Sequence, residues 1–300
     1  MQAEKIDHPK LHEALKHYIA HWNEFTHPGL FSIACEAVGG DPDGVVPTQA
    51  AIAMMAAAFD IHDDIIDKSK VKNKIPTVYG KFGAEIALLL GNAFLIEGFK
   101  LFVDSTAILP KEKGKSALET LKKLLFEVGN AHALEVGLKE NRNVAPNDYM
   151  KIIEMKAAGI EADMHLGALF GGEDAEVEAL AKLGRILGIL ATLRDDLIDV
   201  FDIEELRQRI SVQDLPLPLL FAMQDQETKT KVMNIIVKST ITRSDVAEIV
   251  DFALEAAPVV ELKDRMQLLI GEGLSLTNKL PKTKLQSKLQ ALLSFMLEDL

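Results

Sequence analysis

Four aspartates, Asp60, Asp63, Asp64 and Asp67, fall within eight positions of the stretch AAAFDIHDDIID at 56–67. At 100° per residue their offsets of 0, 3, 4 and 7 put them on about one third of a helix circumference. Adjacent carboxylates repel, so a dry stripe of this kind needs either protons or a cation. A solvated helix face is the alternative. The preceding run AIAMMAAAF argues against it, because it offers no polar face to continue the stripe into water. Mg2+ is the natural compensating ion, a hard cation that takes oxygen ligands and is commonly shared between carboxylates and phosphates. The spacing recurs in LATLRDDLIDVFD, where Asp195, Asp196 and Asp199 keep the same offsets and Asp202 extends the face by a turn. Two such helices facing one another would hold six carboxylates around a polyphosphate, with bridging Mg2+ neutralising both.

These residues need helices to carry them, and the chain supplies little else. Apolar residues recur at helical spacing almost throughout, and alternating β-branched runs are hard to find, so the fold class is all-α. Punctuation is confined to GGDPDG at 39–44, NKIPT at 73–77, NVAPND at 143–148, GGED at 171–174 and DLPLP at 214–218. The segments between these marks are long enough for long antiparallel helices around one core. The expected architecture is one large bundle, with residues 1–300 as a single domain around a central cavity. Thr48 is the expected cap of the helix bearing the first stripe, and Asn147 or Asp148 that of the helix after NVAPND.

Composition removes several functions. With 45 acidic against 33 basic residues the formal net charge is −12, the wrong sign for a nucleic-acid binder. The charged amino terminus MQAEKIDHPK lacks an apolar signal core, and unbroken apolar runs are short, so a soluble, cytoplasmic protein without a transmembrane segment is expected. The single cysteine, Cys35, excludes an internal disulfide, and its setting SIACEAV reads as core. His62 lies off the acidic stripe and reads as a packed histidine; Asp60 and Asp202 are either partners of the inner carboxylates or surface residues. The lysine-rich KSKVKNK at 68–74 reads as a solvated loop.

The order of landmarks resembles the trans-isoprenyl diphosphate synthases, the polyprenyl synthetase family. The likeness runs through LHEALKHY, ACEAVGGD, IHDDIID, PTVYGKFG, YMKIIEMKAA, LRDDLIDV and LPLPLLFA, and so covers nearly the whole chain. It implies an isoprenoid-synthase fold in which each DDxxD motif binds Mg2+ and the metal grips the diphosphate of an allylic prenyl substrate. Asp63, Asp64 and Asp67, and Asp195, Asp196 and Asp199, then take the metal. Lys156 matches the family lysine on the allylic diphosphate, with Ala157 where threonine usually follows, and Lys72 stands where the family has the first of two arginines. An acidic mouth over an apolar tunnel suits such chemistry, because the allylic cation left by the departing diphosphate must be kept from water. Phe59, one turn below Asp63, is the expected partial floor for the prenyl tail, with Ala58 beside it and Met55 a turn deeper.

Departures from the family pattern are uneven. The family's basic GKRxRP loop, which holds the second substrate, isopentenyl diphosphate, aligns with NEFTHP at 23–28, where only Pro28 is kept. Glu24, Phe25 and His27 replace its lysine and arginines, Ala56 replaces a helix histidine, and Asn73 the second arginine. Losing about five charge-assisted bonds at roughly 1.5–3 kcal/mol each would abolish useful affinity for that anion. Ala191 and Thr192 stand for the family's FQ pair, Asp214 for a lysine, and Gly129 and Asn130 for its GQ landmark. The expectation is a protein that binds and ionises an allylic prenyl diphosphate, with a terpene-synthase-like outcome rather than elongation. The alternatives are an ordinary elongating synthase with a rebuilt second site and a non-catalytic subunit of an active synthase. A homodimer is expected, or a heterodimer with such a synthase.

Overall fold

The computed structural model describes residues 6–22, 25–72, 74–141, 145–172, 176–198, 202–211, 215–280 and 284–298. Among these the chain is all-α apart from one two-stranded hairpin. It divides into two compact units, one of residues 1–122 and 163–177, the other of 123–162 and 178–300.

The first unit contains α1 (Pro9–His21), α2 (Thr26–Ala37), α3 (Val46–Ile66), the strands β1 (Val71–Lys72) and β2 (Ile75–Pro76), α4 (Val78–Phe82) and α5 (Ala84–Ser105). The long pair α3 and α5 packs along its length. Close approach is set at Gly98, where an added Cβ would lie 2.8 Å from Met55 Cγ and 3.0 Å from the Ala51 carbonyl. Around the pair, Ala14 and Leu15 of α1, Ala57, Ala58 and Ile61 of α3, Val78 and Phe82 of α4, and Ala87, Leu90 and Phe94 of α5 form one buried cluster. Each fully enclosed large side chain, such as Ile61 or Leu90, contributes about 1.5–3 kcal/mol. Cys35 is buried as expected, and burial pushes its thiol up to about 11.

Two local expectations are corrected. α3 starts two residues before Thr48, on an N-cap at Val45 with proline in its first turn, and Thr48 is a buried interior residue. α7 (Pro146–Lys156) likewise starts on Ala145, with Asp148 inside its first turn rather than capping it. Two helical stretches, Pro42–Ile66 and Ala84–Ile108, are long and apolar enough to cross a membrane by length and composition, although no unbroken apolar run is. Both stretches belong to the α3–α5 pair that forms the core of this unit.

The second unit holds residues 123 onward of α6 (Lys111–Asn141), α7, and the start of α8 (Ala158–Gly171). It continues with α9 (Val177–Ile198) from residue 178, then α10 (Ile203–Ser211), α11 (Leu217–Ala222) and α12 (Gln226–Ile236). The chain ends with α13 (Arg243–Glu255), α14 (Ala257–Thr277) and α15 (Lys284–Phe295). α11, the LPLLFA segment, is buried at every residue and packs on α7, α13 and α14. Arg185 of α9 ties three helices together: its Nη1 donates to Glu127 Oε1 at 2.8 Å and also to the Glu154 carbonyl, and its Nε to Glu161. A capping box starts α13, with the Thr242 hydroxyl accepting from the Asp245 N–H and the Asp245 carboxylate accepting from the Thr242 N–H.

Candidate functional site

The first acidic stripe occupies the last two turns of α3 and its C-cap, Asp67. Asp64 is buried at 4% exposure, Asp63 and Asp67 are half-buried and Asp60 is exposed. A cation faces this stripe in Lys72, whose Nζ lies 2.9 Å from Asp64 Oδ1 and 3.0 Å from Asp60 Oδ1. The run read as a solvated loop places it there. After α3 the chain reverses at Lys68, with φ of +56°, and the Ser69 N–H donates to the Asp64 carbonyl at 2.9 Å. β1 and β2 then pair antiparallel, Lys72 opposite Ile75, so that Lys72 returns to the helix it left. Thr77 fastens the base: its hydroxyl donates to the Ser69 carbonyl at 2.7 Å, its N–H to the Lys70 carbonyl at 3.0 Å, and it caps α4 through the Gly80 N–H. Gly80 must be glycine for this contact, because a Cβ would lie 2.0 Å from the Lys70 carbonyl oxygen.

Burial pushes the Asp64 carboxyl up to about 6, with Lys72 opposing the push and Asp60 and Asp63 adding to it. Burial works to lower the Lys72 ammonium, but Asp60, Asp64 and Asp63 together hold it above its ordinary value. Asp64 Oδ1 accepts no well-formed hydrogen bond, so Lys72 compensates it through charge.

In the second motif, which ends α9, Asp195 is exposed and Asp196 half-buried. Asp199 lies outside the described residues. The Tyr149 hydroxyl of α7 donates to Asp196 Oδ2 at 2.5 Å. Tyr149 is wholly buried, and its ring stacks on Phe221 of α11 at 4.6 Å and 21°. Two turns along the same face of α7, Lys156 Nζ pairs with Glu135 Oε2 at 2.5 Å. Burial pushes Asp196 up to about 6, opposed by Lys156 and the Tyr149 hydrogen bond and reinforced by Glu135 and Asp195. Tyr149 itself is raised well above its ordinary value, by burial first and then by Asp196. Arg194, just before the motif, donates through Nη1 to the carbonyls of Phe295, Met296 and Glu298, anchoring the segment after α15. Asp202 accepts from the Glu204 N–H at 2.9 Å and so caps α10.

Phe59 is half-buried, whereas Ala58 is enclosed in the apolar cluster and Met55 lies against α5. His62 is half-buried. In the NEFTHP stretch, Asn23 and Glu24 lie outside the described residues, as do Asn73 and Asp214. Phe25 is exposed with its ring 4.8 Å from that of Trp22. The His27 Nδ1 is 2.6 Å from Oδ2 of Asp163, an aspartate buried at 2% exposure. Ala157 is buried, and Thr192 turns its hydroxyl back to the Gly188 carbonyl. Sequence reasoning missed Tyr149, Glu135 and Asp163. Only Tyr149 left a signal, since it lies seven residues before Lys156 and therefore on the same helix face.

Among the described residues no group of three or more His, Cys, Asp or Glu side chains is gathered closely enough to hold a metal ion. The donor set still fits a hard divalent cation: all its members are carboxylates, Asp64 Oδ1 is enclosed without a hydrogen bond, and a cation already stands at the stripe.

The polyprenyl synthetase family model matches residues 8–253. The short chain isoprenyl diphosphate synthase of Methanothermobacter thermautotrophicus is 31% identical over 64% of this chain. That match covers 59% of the relative, so the chain spans about three fifths of its length. Among solved structures, the geranylgeranyl pyrophosphate synthetase of Pyrococcus horikoshii superposes with a TM-score of 0.82 at 26% identity, covering 96% of this chain and 90% of that one. The geranylgeranyl pyrophosphate synthase of Corynebacterium glutamicum, complexed with isoprenyl diphosphate and magnesium, gives 0.81 at 23% identity over 95% and 90%.

Proposed function

The chain belongs to the polyprenyl synthetase family, and from that premise we propose that it binds an allylic prenyl diphosphate with Mg2+ and ionises it. The observation that carries this reading is the pair of acidic motifs, each with an inner aspartate, Asp64 or Asp196, whose carboxyl is pushed up to about 6 by burial. Such a group is held ready for a cation rather than for water. Asp63, Asp64 and Asp67 would hold the metal at the first motif, and Asp195, Asp196 and Asp199 at the second. Bound Mg2+ supplies the Lewis-acid charge that neutralises a leaving diphosphate. Lys72 at the first motif and Lys156 near the second each add positive charge for a diphosphate. Tyr149 orients Asp196 by occupying one of its oxygens, and the apolar helices keep water from a developing cation. A magnesium-bound relative of the same fold supports the choice of ion.

Elongation with isopentenyl diphosphate is the less supported branch. The described residues of NEFTHP present an aromatic ring and a histidine already paired with an aspartate where the family has cations. Ionisation would then lead to cyclisation, elimination or capture by water. We read residues 1–300 as one functional domain of a soluble, cytoplasmic homodimer. Support for the dimer comes from α5, where Leu89, Ile96, Phe99 and Val103 form an exposed apolar stripe. Purified protein with Mg2+ and labelled geranyl, farnesyl or geranylgeranyl diphosphate, each with and without isopentenyl diphosphate, decides between the branches. Hydrocarbons or alcohols support the proposal, longer diphosphates establish elongation, and no turnover points to a partner subunit of an active synthase.

A further inference from the structure

Lys72 stands closer to the first acidic motif than a side chain waiting for an anion needs to. Its ammonium is within 3.0 Å of oxygens from Asp60 and Asp64, one helical turn apart on α3, and Asp63 adds to the field around it. This is not how the hairpin is held: Thr77 and Ser69 fasten it through the main chain and the threonine hydroxyl without help from Lys72. Nor is a half-exposed ion pair a strong source of stability. What the contact does is offset part of the stripe's charge, at Asp60 and Asp64, in the absence of a metal.

We propose that Lys72 is the resident counter-ion of the first motif, and that it makes the motif selective for a divalent metal arriving with a diphosphate over the free metal ion. The inference rests on the reading of that motif as a magnesium–diphosphate site. A bare divalent ion at Asp64 must either expel the ammonium or sit a few ångströms from a like charge, and both oppose binding. A diphosphate removes the conflict. Its oxygens accept the Lys72 N–H donors as the carboxylates turn to the metal, so no cation is stranded. The lysine is exchanged from one anion to another on the same hairpin, and no bond is made or broken.

The test uses the full chain stripped of metal, with Mn2+ binding followed by electron paramagnetic resonance with and without inorganic pyrophosphate. Wild type is expected to bind Mn2+ weakly alone and at least ten-fold more tightly with pyrophosphate. Lys72→Gln and Lys72→Met are expected to bind free Mn2+ about ten-fold more tightly than wild type, about 1.4 kcal/mol, and to lose part of the pyrophosphate increment. Lys72→Arg should behave as wild type, and Lys70→Gln, which removes the same charge two residues earlier, just before β1, should stay within two-fold of it. Adding Asp63→Ala to Lys72→Gln should cancel the gain, assigning it to this motif. Pyrophosphate-dependent Mn2+ binding in wild type with no gain in the Lys72 variants overturns the inference alone, as does an equal gain in Lys70→Gln. No Mn2+ binding by wild type even with pyrophosphate overturns the metal reading and the inference together.

Discussion

Replacing Asp64 by asparagine should stabilise the metal-free protein at pH 8, although it breaks an ion pair. Two effects oppose each other at this side chain. Lys72, 2.9 Å away, favours the charged carboxylate; burial at 4% exposure disfavours it. Burial wins, because the folded carboxyl sits at about 6 rather than in the ordinary range near 4. Holding the charge at pH 8 therefore costs up to about 3 kcal/mol. Part of that figure is recovered in the folded protein through relaxation and water, so a gain of about 1–2 kcal/mol is expected. Asparagine keeps the shape, so no cavity term enters, and Lys72 keeps Asp60 as a partner. The sign with pH comes from proton binding. A folded carboxyl raised above its unfolded value holds more protons than the unfolded chain between about pH 4 and pH 6, so wild type loses stability as pH rises through that window. The variant lacks this loss. Urea unfolding in EDTA at pH 4, 6 and 8 should show the two proteins equal at pH 4 and the variant ahead at pH 8. A variant less stable than wild type at pH 8 would mean that the Lys72 pair outweighs burial, and a gain independent of pH would mean that charge is not its source.

Three further outcomes are expected. Tyr149→Phe should cost about 1.5–3 kcal/mol in urea unfolding by removing the donor to Asp196, and should weaken Mg2+-dependent binding of an allylic diphosphate, while the ring stays stacked on Phe221 and near-ultraviolet circular dichroism is retained. Ile96→Glu, in the middle of the exposed α5 stripe, should give a folded monomer by sedimentation equilibrium, and an unchanged mass would remove that stripe from the dimer contact. Phe59→Ala should shift substrate preference towards longer prenyl diphosphates, whereas Ala58→Phe, at a fully enclosed position, should cost about 1–3 kcal/mol through overpacking; an unchanged length preference in a folded Phe59→Ala protein would show that the tail runs elsewhere.

Periodicity made the helices and the acidic faces legible, because both repeat on the 3.6-residue turn within one segment. The all-α class, the buried Cys35 and the clustering of Asp60, Asp63 and Asp64 on one face of α3 were all readable in this way. Contacts that close over a distance were not. Lys72 reaches Asp60 from 12 residues away only because two strands of two residues each turn the chain back, and strands that short carry no alternation to detect. Tyr149 and Asp196 are 47 residues apart, and His27 and Asp163 136 apart. The spacing of Tyr149 from Lys156 places it on a face of α7 but does not name its partner, and nothing local announces the others. The cap at Thr48 failed for a different reason: proline in the first turn and alanine after it start α3 without a side-chain cap, leaving the threonine inside the helix.

The pairing of His27 with Asp163 bears most directly on the proposed loss of the second-diphosphate site. A histidine in the position of a family arginine suggests a weakened but surviving anion site, one that would gain strength as the imidazole takes a proton. The aspartate opposes that route. Its carboxylate lies 2.6 Å from Nδ1, so an acidic group already faces the histidine, whereas an arginine at the same place would bring a permanent positive charge. On the proposed reading, a second diphosphate would meet a histidine–aspartate pair in this stretch, with Phe25 exposed beside Trp22. Restoring a single arginine at 27 would leave it paired with Asp163. Recovery of isopentenyl diphosphate binding should thus require Asp163→Ala together with His27→Arg. Recovery by His27→Arg alone, measured as a melting-temperature rise with isopentenyl diphosphate, would show that the aspartate does not set the charge of this stretch.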